Sequence, residues 1–290
     1  MDVGTLIERV LERSVASAEG PGAPPLLGRA LRHSVFPGGA RVRPKLCVAV
    51  AAACGEGRGI EAASGAGAAL ELMHCASLVH DDLPAFDGAA IRRGKPSVHA
   101  AYGEAIAVLA GDALIVMAFD TLLRECRASP EALAPLMSIL INAVGTPRGI
   151  VAGQAWESEP VIDLSAYHQA KTGALFVAAS MSGAAAAGLD PAPWRALGER
   201  LGEAYQVADD LRDVLLDEEE LGKPAGQDAS HLRPNAVQNF GVAGAIARLK
   251  GLIADASDSI PDCAGAPMLR EIVHGQAARL MPQSLLRNVA

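Results

Sequence analysis

A chain of 290 residues, half of them hydrophobic and one fifth charged, can bury a sizeable core and is too apolar to remain disordered. Its formal net charge of -8 argues against a nucleic-acid partner, which would call for basic stripes. Aromatic residues make up only 3%, and long runs of Ala, Leu and Val without alternation favour helices over strands.

The chain opens Met1-Asp2-Val3-Gly4 with Glu8 and Glu12 close behind, which lacks the basic and then apolar order of a signal peptide, so a cytoplasmic protein is expected. Breakers at 21–25, 37–39, 55–59, 94–96, 145–147, 190–193 and 222–226, with Pro84, Pro130 and Pro160, space out helices of ordinary to long length. Nothing between them reads clearly as a strand. No low-complexity linker or composition shift divides the chain, so residues 1–290 are expected to form a single all-α domain. Small-residue helices near 65–72 and 174–188 let neighbours approach closely, and a wide bundle can hold a deep central cavity. The charge-free stretch 172–189 approaches membrane-spanning length, but its Ala, Gly and Ser content fits a buried helix and not a transmembrane one. Cys47, Cys54, Cys75, Cys126 and Cys263 are odd in number and contain no CxxC pair, so neither a disulfide framework nor a zinc site is expected.

Chemistry concentrates in a few segments. The loop Phe36 to Lys45 carries Gly38, Gly39, Arg41 and Arg43 into a helix, a place where backbone N–H groups favour an anion. An apolar helix then runs into Asp81, Asp82 and Asp87, followed by the basic turn Arg92-Arg93-Gly94-Lys95. Arginine forks bind phosphate oxygens in pairs. Lys171 and Lys223 are further cations, and a second apolar helix ends in Asp209, Asp210 and Asp213. At 3.6 residues per turn, Asp209 and Asp213 stand one above the other with Asp210 beside them. At an effective dielectric of about 20 and a separation of about 5 Å, each carboxylate pair repels by roughly 3 kcal/mol, which protonation or a hard divalent ion must relieve. Oxygen-only ligands suit magnesium, which shares its coordination with substrate phosphates. Two such patches can clamp one diphosphate.

The ordered motifs resemble the polyprenyl synthetase family of head-to-tail isoprenyl diphosphate synthases. Gly38-Gly39-Ala40-Arg41-Val42-Arg43-Pro44 is similar to its GGKRxRP, and the run from Glu71 to Asp87 to its first aspartate-rich motif in the bacterial form. Arg92 to Pro96 matches RRGKP, Lys171-Thr172-Gly173 matches KTG, and Tyr205 to Asp213 matches the second aspartate motif. The resemblance implies an isoprenoid synthase fold, a homodimer, and Mg²⁺ ions held by Asp81, Asp82, Asp87, Asp209, Asp210 and Asp213 against an allylic diphosphate. It implies that Arg92, Lys171 and Lys223 contact that diphosphate. Isopentenyl diphosphate would lie opposite, on Arg43, His74 and Arg93, with Thr172 and Gln206 lining the reacting carbons.

One position departs: Ala40 stands where the family usually has Lys, and a lost charge-assisted contact costs roughly 1.5 to 3 kcal/mol. Lys45 is near in sequence but on a different helical face.

If the helix ending at Asp81 lines the cavity, Ser77, Ala76 and then Met73 form the floor, since one turn of about 5.4 Å roughly equals one isoprene unit. Farnesyl-forming relatives commonly carry a bulky aromatic at the place of Ala76. A methyl group there implies a twenty-carbon product, geranylgeranyl diphosphate, and stretches such as Gly153-Gln154-Ala155-Trp156-Glu157 resemble the bacterial synthases of carotenoid and chlorophyll pathways. Alternatives are a farnesyl diphosphate synthase and a non-catalytic subunit of a heteromeric synthase. Terpene cyclases also use paired Asp motifs, but their cavities are aromatic-rich.

Overall fold

Asp2 accepts a hydrogen bond from the Thr5 amide and so caps α1 (Val3–Ser17), after which Pro25, fixed in φ, begins α2 (Pro25–Val35). A computed structural model describes residues 2–36, 39–215 and 236–280. The helices continue with α3 (Val42–Cys54), α4 (Ile60–Asp81), α5 (Val98–Tyr102), α6 (Glu104–Glu125), α7 (Pro130–Val144) and α8 (Ile150–Ala155). They end with α9 (Leu164–His168), α10 (Ala174–Ala186), α11 (Arg195–Leu215), α12 (Ala236–Asp258) and α13 (Ala266–Leu280). The architecture is all-α.

One small exception to the sequence reading lies in the basic turn. Ile91–Arg92 and Lys95–Pro96 form a two-residue antiparallel ribbon, β1 and β2, with Arg92 opposite Lys95. Arg93 and Gly94 take φ of 53° and 72°, the positive values that a two-residue hairpin of I′ type demands. Four residues are too short for an alternating pattern to announce itself.

At the centre, α10 packs against α3, α4, α7 and α11, while α4 lies along α6 and α3, and α12 covers α11. Glycines set these distances. A Cβ on Gly183 of α10 would meet the Cys47 carbonyl of α3 at 2.5 Å, and one on Gly198 of α11 would meet Val177 Cα at 2.4 Å. Most of the stretch 172–189 is thus the core helix α10, as its composition indicates. α4 and α6 are both long and apolar enough to span a membrane by length and composition, but 83% of the α4 window is buried inside the protein. All five cysteines are free, with Cys47, Cys75 and Cys126 buried.

Arg41 belongs to this core. It sits at φ 52° before α3, and its buried guanidinium bonds Glu71 of α4 at 2.8 Å, Glu8 of α1 at 2.8 Å and the Val35 carbonyl at 2.8 Å. Three helices are tied by one side chain. Replacing Arg41 by Met leaves Glu71 charged and buried, which costs about 3 to 5 kcal/mol. Urea unfolding checks this, and a loss below about 1 kcal/mol would contradict the assignment.

Candidate active site

The first aspartate cluster forms where α4 ends. Asp81 is the last residue of the helix, Asp82 follows it, and a turn closed by the Asp87 amide on the Asp81 carbonyl brings Asp87 back beside them. Asp82, 2% exposed, is gripped by Arg92 from β1, with Nη2 at 2.5 Å and Nε at 2.9 Å from Oδ1. Among the described residues Asp81 Oδ1 has no hydrogen-bond partner, and Lys171 Nζ lies 3.7 Å from it. Burial raises the pKa of both carboxyls, opposed at Asp81 by Lys171 and at Asp82 by Arg92.

A fourth carboxylate joins them from a distant segment. Glu157, in the 3₁₀ turn Trp156–Ser158 after α8, accepts from Lys171 Nζ at 2.5 Å and from the Tyr167 hydroxyl at 2.6 Å. Asp81, Asp87 and Glu157 each offer an oxygen within 4.8 Å of the others. Three oxygens at this spacing fit a hard divalent cation. Sequence spacing gave no reason to pair Glu157 with Asp81.

Lys171 and Thr172 connect the two clusters. Gln169–Gly173 is a π-helical turn between α9 and α10, a distortion often found at functional sites. From adjacent positions, Lys171 reaches Asp81 and Thr172 Oγ1 donates to Gln206 Oε1 of α11 at 2.8 Å. Gln206 Nε2 passes the connection on to Asp210 Oδ1 at 2.9 Å, one turn along α11. Asp210 is buried and also accepts the Ala236 amide at 2.7 Å, while Asp209 pairs with Arg212 at 3.1 Å. Asp213, one turn beyond Asp209, completes the second cluster. Lys223 lies outside the described residues.

The remaining cations gather behind the α3 loop. Arg43, 9% exposed, lies 4.7 Å from the Phe176 ring and 5.7 Å from the Tyr205 ring, and its Nε has no partner. Arg93 rests on Gly39, where a Cβ would be 3.1 Å from its Nη2. His74 of α4 has its pKa held well below the ordinary value, first by burial and then by Arg43, Arg93 and Arg92, so it is a neutral imidazole at working pH. One side of the site therefore carries the carboxylates with Arg92 and Lys171, and the other carries Arg43 and Arg93, which bond no carboxylate among the described residues.

Residues 24–261 match the polyprenyl synthetase model. The chain belongs to the polyprenyl synthetase family. It is 55% identical to a geranylgeranyl diphosphate synthase of Cereibacter sphaeroides over 98% of each chain, and 51% identical to one of Rhodobacter capsulatus over 97% of each. The solved FPP/GFPP synthase of Zymomonas mobilis superposes with a TM-score of 0.77 at 32% identity, covering 94% of this chain and 98% of that one. Of the motifs read from the sequence, the two aspartate-rich ones are reached by Lys171 and Thr172 of the π turn.

The positions assigned to chain length are less exposed. Met73 and Ala76 are buried within α4, and Ser77 is half-buried with its hydroxyl on the His74 carbonyl at 2.8 Å. A cavity of about 1280 Å³ opens beside Gln206 and Asp210 and runs between α7, α10, α11 and α12, with Ile139, Val177 and Met181 on its apolar walls. None of the three α4 residues lines it.

Proposed function

We propose that the chain condenses isopentenyl diphosphate with an allylic diphosphate, farnesyl diphosphate being the last acceptor, to give geranylgeranyl diphosphate. The observation that carries this reading is the pair Lys171 and Thr172, whose contacts put the two aspartate clusters on either side of one π turn. Asp81, Asp82, Asp87, Asp209, Asp210 and Asp213 would hold magnesium, which when bound supplies positive charge against the diphosphate oxygens. Glu157 joins that set. Lys171, relaxed from Glu157, and Arg92, shared with Asp82, then face the same diphosphate, and Lys223 is assigned there by motif.

Arg43, His74 and Arg93 are assigned to isopentenyl diphosphate. An unpaired buried guanidinium nitrogen and a neutral imidazole can each donate to its oxygens without a carboxylate competing. Departure of the allylic diphosphate leaves a carbocation, the isopentenyl double bond attacks it, and the released diphosphate takes the proton. The Thr172 and Gln206 side chains, locked to each other, present a fixed polar wall near those carbons. Transfer of label from isopentenyl diphosphate into an acid-labile allylic product tests the reading. A folded protein that labels nothing from dimethylallyl, geranyl or farnesyl diphosphate would overturn it and favour a non-catalytic subunit.

A homodimer in the cytoplasm goes with this function. Leu109, Val116 and Leu123, seven residues apart on α6, are 52%, 67% and 49% exposed, and Val108 extends the stripe. An apolar stripe of that length needs cover, and a second copy of the chain supplies it. Replacing Val116 by Glu shifts the sedimentation coefficient from dimer to monomer; an unchanged dimer would place the interface elsewhere.

A further inference from the structure

Lys45 lies one turn inside α3, yet its ammonium turns back over the entering loop and donates to the Ala40 carbonyl at 2.8 Å. That acceptor is neutral, and no described carboxylate pairs with Lys45. Two of its three N–H groups remain for something else. Arg93 packs on Gly39 of the same loop. In the first turn of α3, Arg43 is buried with an Nε that finds no partner among the described residues. Arg41 cannot serve there, because Glu8 and Glu71 already occupy its guanidinium. Among the described residues, Lys45, Arg93 and Arg43 thus have no carboxylate within bonding distance, while Ala40 of the same loop brings no charge.

We propose that Lys45 is a binding residue for isopentenyl diphosphate, supplying from α3 the ammonium that position 40 lacks in this chain. The inference rests on the assignment of Arg43, His74 and Arg93 to that substrate. Sequence spacing put Lys45 on a different face of the helix from residue 40. Its four-carbon stem cancels that offset by folding back along the helix to the loop. On binding, Nζ exchanges a neutral carbonyl for a diphosphate oxygen, a stronger charge-assisted bond made without moving the backbone.

Steady-state kinetics of Lys45→Ala, of Ala40→Lys/Lys45→Ala and of Arg93→Ala, each substrate varied with the other saturating, test this. Lys45→Ala raises KM for isopentenyl diphosphate about 10-fold or more. The allylic KM stays within about twofold, and the double variant recovers most of the loss by placing an ammonium at position 40. Should Lys45→Ala fail to fold by circular dichroism, Lys45→Gln keeps the stem and gives the same comparison. An unchanged isopentenyl KM, or an equal rise in both KM values that Ala40→Lys does not rescue, overturns the proposal. Arg93→Ala reads the underlying assignment separately: a shift confined to the allylic KM would remove the isopentenyl site from this loop whatever Lys45 does.

Discussion

Replacing Asp81 by Asn lowers kcat by about 10³-fold and leaves the fold as stable as before or more so. The two halves of this result come from one observation. Asp81 is buried at the end of α4 with an oxygen that no hydrogen bond satisfies, and desolvation raises its pKa despite Lys171 at 3.7 Å. A raised carboxyl pKa means that the folded state holds a proton more readily than the unfolded chain. The ionised group therefore costs stability at neutral pH, and this cost fades as pH falls from the raised value toward the ordinary 3.8. Asparagine removes the charge and the cost together. Lys171 keeps Glu157 as its partner, so no cation is stranded. What is lost is an anionic ligand to the metal that neutralises the leaving diphosphate, a contribution of about 4 kcal/mol to the barrier. Thermal unfolding alongside kcat checks both halves. A variant that melts lower and turns over within tenfold of the parent would identify Asp81 as structural.

Ala76→Phe is expected to reverse the product ratio, from mostly twenty-carbon to mostly fifteen-carbon diphosphate. Ala76 lies five residues before Asp81, about 7.5 Å back along α4 from the metal end, and outside the lining of the cavity beside Asp210, so the variant tests whether the growing chain runs along α4. A pocket that distinguishes one added methylene typically does so by 10-fold to 200-fold, and an isoprene unit is several times larger. Ala76 is 2% exposed and α4 is packed on both sides, so the ring also costs about 1 to 3 kcal/mol in overpacking. Product ratio, unlike total activity, is insensitive to that loss. An unchanged ratio would move the floor off α4, and the cavity along α10 with Val177 and Met181 would be the next place to look.

Side-chain type and spacing made much of this site readable in advance. Carboxylates at 81, 82 and 87 and at 209, 210 and 213 advertise a cation because nothing else suits so many charges after an apolar run. The helical class followed from the scarcity of aromatic and β-branched runs, and α10 was identified as a core helix by its small residues. What stayed hidden depends on tertiary reach. Glu157 enters the metal cluster from a 3₁₀ turn after α8, seventy-six residues beyond Asp81, and only the packed bundle brings them together. The π turn at Gln169–Gly173 inserts an extra residue, so no 3.6-residue wheel predicts that Lys171 and Thr172 face opposite clusters. Arg41 and Arg43 read alike in sequence, yet burial gives one three acceptors and leaves the other with an empty nitrogen. Arg92 stood in sequence as an open phosphate ligand, while in the fold Asp82 already holds it.

The measurement that tests the account most directly is the chain length of products made by the purified protein from labelled isopentenyl diphosphate and magnesium, with dimethylallyl, geranyl and farnesyl diphosphates supplied separately. Label is expected to accumulate in a twenty-carbon diphosphate from all three starters, and chelation of magnesium to abolish it. Label that stops at fifteen carbons, with farnesyl diphosphate left unextended, would contradict the product assignment.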